Sequence, residues 1–471
     1  MLTAQNSRVM YFMDLPQNRF LNPAIRPADS IYIGLPVLTG IGISVNNNFV
    51  NFSDVIIKGR SDSLLTFLHP DYDKDKFLSK IKVRNFIEPE IMIQLLGLGF
   101  KAGKSYIFLE INERIQSNAV LPGKIFELAL KGNAEFVGEY IDLSSLRGDL
   151  RYYREFGLGF SRNFTQRFRA GFKAKYLSGI ITTSIDNTSL GIMIDQDYSH
   201  LFDADLSVNI SAPVTIGQDA EGRIDDVQFD NDGFARSVLM RNGMNPGFAF
   251  DLGATFEFSD KISLSAAVTD LGFIHWKKDI TNLRFNERFE FSGIDLTSVI
   301  RGDQTIGEAG DEILDSLENY LDVSESNNPF NTFLPVGISL GGSYQLTRSL
   351  SLGILSHSRI IGKQVRESLT LSANLKLGNS LSTTLSYTVT NHRYDNLGAG
   401  LAFRLGIVQF YMLSDRIPIM WNRIQMDGSS RGKNIIFVPS NWNTIDLRLG
   451  MNLVFGHRRR PRVDECLDLA Y

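Results

Sequence analysis

Ile445-Asp446-Leu447-Arg448-Leu449-Gly450-Met451-Asn452-Leu453-Val454-Phe455 stands near the end of this 471-residue chain. Every odd position is apolar, whereas Asp446, Arg448, Gly450 and Asn452 are charged, polar or small, and only Val454 breaks the order. A two-residue period with unlike faces is the signature of a strand. A strand in a soluble sandwich usually has about 5–6 residues, while a tilted strand needs about 9–11 to cross a bilayer. The length therefore predicts a membrane-barrel strand, with the odd face toward lipid, the even face toward a polar interior, and Phe455 at the interface.

Composition agrees with that class. There is no apolar run of about 18 residues that could form a spanning helix. Barrel strands alternate and leave the average near neutral, as the mean hydropathy of -0.07 does. A net charge of -4 gives no nucleic-acid footprint. The single cysteine, Cys466, excludes an intrachain disulfide and a multi-cysteine metal site. The opening Met1-Leu2-Thr3-Ala4-Gln5 reads as the stump of a secretion signal, with Ala4 before the cleavage point and Gln5 as the mature start.

The same alternation recurs upstream as hairpins. Ile91 to Gly99 turns at Lys101-Ala102-Gly103-Lys104 into Ser105 to Asn112, and Phe156 to Phe160 turns at Arg162 to Gln166 into Phe168 to Tyr176. Phe248 to Phe258 turns at Ser259-Asp260-Lys261 into Ile262 to Val268, and Ile338 to Tyr344 turns at Thr347-Arg348 into Leu350 to Ile354. Leu369 to Leu377 turns at Gly378-Asn379-Ser380 into Leu381 to Val389, and Leu397 to Leu405 turns at Gly406 into Val408 to Met412. With Ile31 to Asn46 as the first strand, the chain reads as a single antiparallel barrel of about 14 strands, an even number that closes without an edge.

These short turns all fall on one side. The long connections, Asn47 to Phe86, Gln116 to Leu150, Thr182 to Asn245, Ile274 to Thr332 and Asp415 to Asn441, fall on the other and are expected to be extracellular. Ser189 to Ile194 and Ala204 to Ile210 are read as a hairpin in such a loop rather than as two more crossings, because Asp195, Asp197, Asp203 and Asp205 crowd between and within them. Helical periodicity marks Lys76 to Val83, Ile125 to Tyr140 and Glu308 to Leu321, which are expected to pack the loops down. The expected division is residues 1–30 as signal remnant and partial plug, 31–456 as barrel, and 457–471 as a periplasmic tail carrying His457-Arg458-Arg459-Arg460-Pro461-Arg462.

The inward faces of those strands carry Glu110, Glu155, Arg169, Lys173, Lys175, Asp251, Glu257, Lys376, Arg404, Asp446 and Arg448. Both signs are present, so pairing across neighbouring strands is expected to plug the lumen rather than to leave a selective ion path.

A short Asn22-Pro23-Ala24 precedes the first strand. It resembles the Asn-Pro-Ala near the mature amino terminus of the outer-membrane long-chain fatty-acid transporters (the FadL family) and of the related PorV barrel of Bacteroidota secretion systems. A last strand ending on Phe455 is similar to the carboxy-terminal signal of bacterial outer-membrane proteins. With these, the strand count and the loop Pro122-Gly123-Lys124-Ile125-Phe126-Glu127, the chain resembles an uncharacterised family of Bacteroidota outer-membrane proteins. That family is annotated mainly as a domain of unknown function and is distantly similar to the FadL and PorV barrels. The resemblance covers roughly Gln5 to Gly456 and implies the bacterial outer membrane as location, lipid as surroundings, Asn22, Pro23 and Ala24 as part of a plug, and passive passage of a small hydrophobic compound. The alternative it leaves open is a non-transporting barrel that serves as scaffold or partner of another cell-envelope protein.

No enzyme, cofactor or metal is expected. The six histidines are scattered, none two or four residues from another, and neither a Gly-x-Ser-x-Gly elbow nor a His-Glu-x-x-His pair is read. The aspartates between Asp195 and Asp205 lack the regular spacing of a calcium loop and are expected to be solvated.

Overall fold

The computed structural model describes residues 8–51, 56–58, 64–66, 73–196, 199–218, 224–230, 233–234, 238, 245–291, 323–362, 364–390, 393–418, 421–427, 433–439 and 443–456. The proposed signal stump, the helical pattern Glu308 to Leu321, Asp197, and the tail with its arginines and Cys466 lie outside them.

Fourteen strands form one closed antiparallel ring. In chain order they are β1 (Ile31–Gly34, continued by Gly40–Asn47), β2 (Arg84–Ala102), β3 (Ser105–Pro122), β4 (Arg147–Asn163), β5 (Phe168–Ile194) and β6 (Asn245–Glu257). They continue with β7 (Ile262–Trp276), β8 (Phe330–Phe333, continued by Val336–Gln345), β9 (Leu350–Ile361) and β10 (Gln364–Leu377). The last are β11 (Leu381–Thr390), β12 (Arg393–Leu405), β13 (Val408–Ser414) and β14 (Thr444–Phe455). β14 closes the ring against β1, with Ile31 opposite Phe455 and Ile43 opposite Leu447. Closure pairs each strand of the ring on both sides, so the ring itself has no free edge.

The faces follow the sequence period. In β14 the even residues Asp446, Arg448 and Asn452 are buried while Leu447 and Leu449 are exposed outside. Val454, the residue that breaks the alternation, is inside too, buried and opposite the buried Tyr32 of β1. The outside of the ring carries Leu109, Phe160, Phe168, Phe250, Leu252, Leu340, Leu371 and Leu385, all exposed.

The strands from β2 to β5 run further than their apolar alternation: β2 starts at Arg84 rather than Ile91, β3 ends at Pro122 rather than Asn112, β4 starts at Arg147, and β5 ends at Ile194. The reason is visible at Glu113 and Arg154, which face outward from β3 and β4 and pair with each other at 2.6 Å. Above that level the outer face ceases to be uniformly apolar although the ladder of hydrogen bonds continues. The upper part of β5 pairs with His200–Ser211, which pairs with Ile280–Phe291, which pairs with Val323–Ser326. Ser189 to Ile194 and Ala204 to Ile210 are thus a hairpin beyond the ring, not crossings. Two tight links, Ile361 to Gln364 and Thr390 to Arg393, share the end of the long connections, so that end is not exclusively long. Helices occur in the loops at Lys74–Leu78 and Gly123–Lys131, both shorter than their sequence patterns.

The main apolar core lies inside the ring. Val9, Met10, Met13, Leu15, Phe20 and Leu21 pack against Met92, Ala402, Tyr411 and Leu413. Full burial of such side chains stabilises by about 1.5–3 kcal/mol each.

Candidate functional site: the filled lumen

The segment from Arg8 to Ala24 hydrogen-bonds residues of β6, β7 and β14 and Asp415, which follows β13. The Arg8 backbone N–H and Nε donate to Asp415 at 2.8 and 3.1 Å, and Val9 N–H donates to the same carboxylate at 3.0 Å. Tyr11 hydrogen-bonds Ser265 of β7. The Gln17 amide donates to Asn452 of β14 at 2.8 Å and accepts from it at 3.1 Å. Asn22 Nδ2 donates to the carbonyls of Ala254 and Ala266, both at 3.3 Å.

Asn22, Pro23 and Ala24 fit against glycines. A Cβ on Gly171 of β5 would stand 2.5 Å from the Pro23 carbonyl and 2.6 Å from the Ala24 nitrogen, and one on Gly253 of β6 would stand 2.9 Å from Pro23 Cδ. Only glycine allows the backbone to approach the wall so closely. Asn22 also closes its own turn by accepting from Ala24 N–H at 2.9 Å.

Beside this segment four carboxylates meet four cations. Lys173 Nζ is 2.7 Å from Glu110 and 2.9 Å from Glu155, and Lys175 Nζ is 2.7 Å from Asp251 and 2.5 Å from Asp270. Arg114 reaches Glu155 at 3.5 Å, and Arg19, from the amino-terminal segment, reaches Glu110 at 3.0 Å. Glu110, Glu155, Lys173 and Asp251 have no exposed side-chain surface at all. Water cannot screen such charges, so the pairing holds only because both signs are present and hydrogen-bonded.

A β-bulge supplies the fourth acid. The β6–β7 register shifts between Phe250 and Leu252, and Asp270 takes a left-handed backbone with φ 59. That conformation, uncommon outside glycine, points Asp270 N–H at Asp251 Oδ1, 2.7 Å away, and brings its carboxylate to Lys175. Strict alternation does not expose this residue.

Toward the long-connection end the pairing continues across the ring. Glu90 of β2 meets Arg359 of β9 at 3.2 Å and Arg114 at 3.6 Å, and Glu88 pairs with Arg366 of β10. A narrow recess open to solvent lies here among Glu88, Glu90, Asp149, Arg151 and Arg359.

The structure brings Glu110, Glu155, Lys173, Lys175 and Asp251 into one cluster. Asp446 is a separate member, accepting from Asp415 N–H at 3.1 Å, and Arg448 lies beside Gly42 and Met92. The remaining expected residues sit at the short-turn end. Lys376 pairs with Asp14, Arg404 pairs with Asp29 at 2.5 Å, and Arg169 donates to Asn163 at 2.8 Å. Glu257 is the last residue of β6 and is exposed on that rim, because the strand ends before its inward side is enclosed. Arg8, Arg19, Glu88, Glu90, Arg114, Asp270, Arg359, Arg366 and Asp415 are site residues that the sequence reading missed. Glu88, Glu90, Arg114, Arg359 and Arg366 were within reach of it, since each keeps the inward parity of its strand.

One pattern was passed over. Gly337-Ile338-Ser339-Leu340-Gly341 has the spacing of a hydrolase elbow, and Ser339 Oγ lies 2.8 Å from His357 Nδ1. It stands in the middle of β8, however, not at a strand-to-helix turn, and both side chains are buried in the filled lumen. The pair packs; nothing about it presents a nucleophile.

The chain matches the Family of unknown function (DUF5723) over residues 23–415 and belongs to it. No curated protein matches it. Among solved structures it is similar to the toluene transporter TbuX of Ralstonia pickettii, at 8% identity and a TM-score of 0.42, over 96% of this chain and 98% of that one. It is similar to a FadL homologue of Pseudomonas aeruginosa, at 10% identity and a TM-score of 0.41, over 96% of both chains. It is also similar to the toluene transporter TodX of P. putida, at 10% identity and a TM-score of 0.39, over 93% of both.

Proposed function

We propose that this member of a family of unknown function is a bacterial outer-membrane barrel that is closed at rest, with residues 1–30 contributing a plug, 31–456 the barrel and 457–471 a periplasmic tail. One observation carries the reading: the closed ring turns large apolar side chains outward while its charged side chains pair inside. Such a surface suits lipid and such an interior does not suit a free-flowing pore. In the usual orientation the short turns face the periplasm and the long connections the outside.

Passage of a small hydrophobic compound is the finer reading. The described lumen is crossed by ion pairs and by residues 8–24, so a static apolar conduit is not what supports it. Support comes from the wall. β1 is interrupted at Leu35–Thr39, where Leu35, Val37 and Leu38 are exposed on the outside and Val37 holds φ 63, a strained backbone for a β-branched residue. Behind this break stands the Gln17 amide of the plug, so shifting the plug would unblock both the lumen and the wall.

Membrane fractionation and single-channel recording test the reading together. The full chain is expected in the outer-membrane fraction and silent in a planar bilayer, and deletion of residues 8–24 is expected to produce steps of conductance. Recovery in the soluble fraction would refute the membrane reading, and steady conductance from the intact chain would refute closure.

A further inference from the structure

Arg19 occupies a cage that is out of proportion to its role as a plug residue. Its guanidinium carbon lies 4.6 Å from the Phe108 ring centre, 5.2 Å from that of Tyr32 and 5.7 Å from that of Tyr106. Nη2 donates to Glu110 Oε1 at 3.0 Å, and the Tyr106 hydroxyl is a further polar group beside the guanidinium. The side chain is 1% exposed. A guanidinium anchored for planar recognition would place a second donor on the carboxylate. Here the rings supply the rest of the surroundings, and rings attract any weakly hydrated cation without demanding hydrogen bonds.

The cage belongs to the wall, not to the segment. Tyr32 comes from β1, Tyr106, Phe108 and Glu110 come from β3, and Lys173 on β5 holds the other oxygen of Glu110 at 2.7 Å. The backbone of these residues is held by the ladder of the ring, independently of Arg19. Only one cation of the cluster enters from outside the wall.

We propose that this cage is an organic-cation site, occupied in the resting barrel by the chain's own Arg19, and that its external ligand carries a guanidinium or quaternary ammonium group. The proposal deepens the plug reading: access in the wild-type chain needs the segment to move, whereas the cage itself does not depend on that movement. A compact ammonium ion or a metal cation is more strongly hydrated than a guanidinium or quaternary ammonium and loses more on entering such a cage. Neutral solutes lack the charge that Glu110 requires.

The test uses the full chain in detergent with Arg19→Ala, which empties the cage and leaves the rest of the segment. Methylguanidinium chloride at millimolar concentration is expected to raise the melting temperature of this variant in a saturable way. Sodium chloride at equal ionic strength and urea, which shares the shape without the charge, are expected to give no shift. Wild type should show no shift, and Arg19→Ala/Phe108→Ala should lose most of the effect. Should Arg19→Ala not refold unaided, its folded yield with and without methylguanidinium becomes the readout, and rescue is the expected result. Equal responses to methylguanidinium and sodium, or no rescue of a non-folding variant, overturn the site. Binding by the variant together with failure of the residue 8–24 deletion to conduct would keep the site and remove only the displaceable plug.

Discussion

Lys173→Met removes the cation on which the lumen cluster turns. In the wild type its ammonium serves Glu110 at 2.7 Å and Glu155 at 2.9 Å and stands 4.0 Å from Asp251, all of them without exposed side-chain surface. The substitution nearly conserves volume, so the loss is electrostatic. Four carboxylates then face three cations, and Glu110 and Glu155 each lose a charged hydrogen bond, worth about 1.5–3 kcal/mol. Leaving an uncompensated charge in a buried cluster costs about 3–5 kcal/mol, and that is the expected destabilisation. Urea unfolding of the barrel in lipid vesicles, followed by tryptophan fluorescence and by mobility of the unheated protein on a gel, measures it. A companion variant, Lys173→Met/Glu155→Gln, restores neutrality while leaving Arg19 with Glu110 and Arg114 with Glu90. It should recover at least half of the loss, a coupling that independent sites would not show. A loss below about 1 kcal/mol for Lys173→Met would mean that water reaches the cluster, and the account of a sealed, charge-paired interior would fail.

Three further outcomes follow from the same geometry. Gly171→Ala places a methyl 2.5 Å from the Pro23 carbonyl and should destabilise by about 1–3 kcal/mol in the same urea titration, with protease cutting of the amino-terminal segment as a second readout; a neutral result would separate Asn22–Ala24 from the wall. Leu252→Lys, about halfway up the outer face of β6, should cost about 2–4 kcal/mol in vesicles, while Phe258→Lys beyond the end of that strand should cost about 0–1 kcal/mol; equal costs would contradict a lipid belt. Asp415→Asn weakens the anchor of Arg8 and Val9 and should speed protease cutting near the amino terminus without dissolving the ring, which heat-dependent gel mobility reports.

Much of this architecture could be read from residue order alone. Period-two alternation is a local property, and lipid on one side with a polar interior on the other imposes it on each crossing, so the fourteen strands and the short-turn end were legible strand by strand. Extents were not, because above Glu113 and Arg154 the outer face no longer needs to be apolar while the backbone ladder continues. Inward parity likewise picked out Glu110, Lys173, Lys175 and Asp251. It failed at Asp270, where a bulge reverses the face, and at Glu257, where the strand stops at the rim.

Which charges meet is a different kind of fact. Parity says that Lys173 and Glu155 point inward; ring closure and register decide that they lie side by side, and only the curvature of the ring brings Arg359 and Arg366 across to Glu90 and Glu88. The amino-terminal segment is the extreme case. Its residues have no strand period, and Arg8 and Arg19 carry no local mark of their partners, which lie 407 and 91 residues away. The sequence by itself determined a barrel with unlike faces, because each strand meets its two solvents independently. Tertiary structure alone decided which inward side chains meet one another and the amino-terminal segment, because strands distant in the chain share an interior only after the last strand, Ile445 to Phe455, has paired with the first.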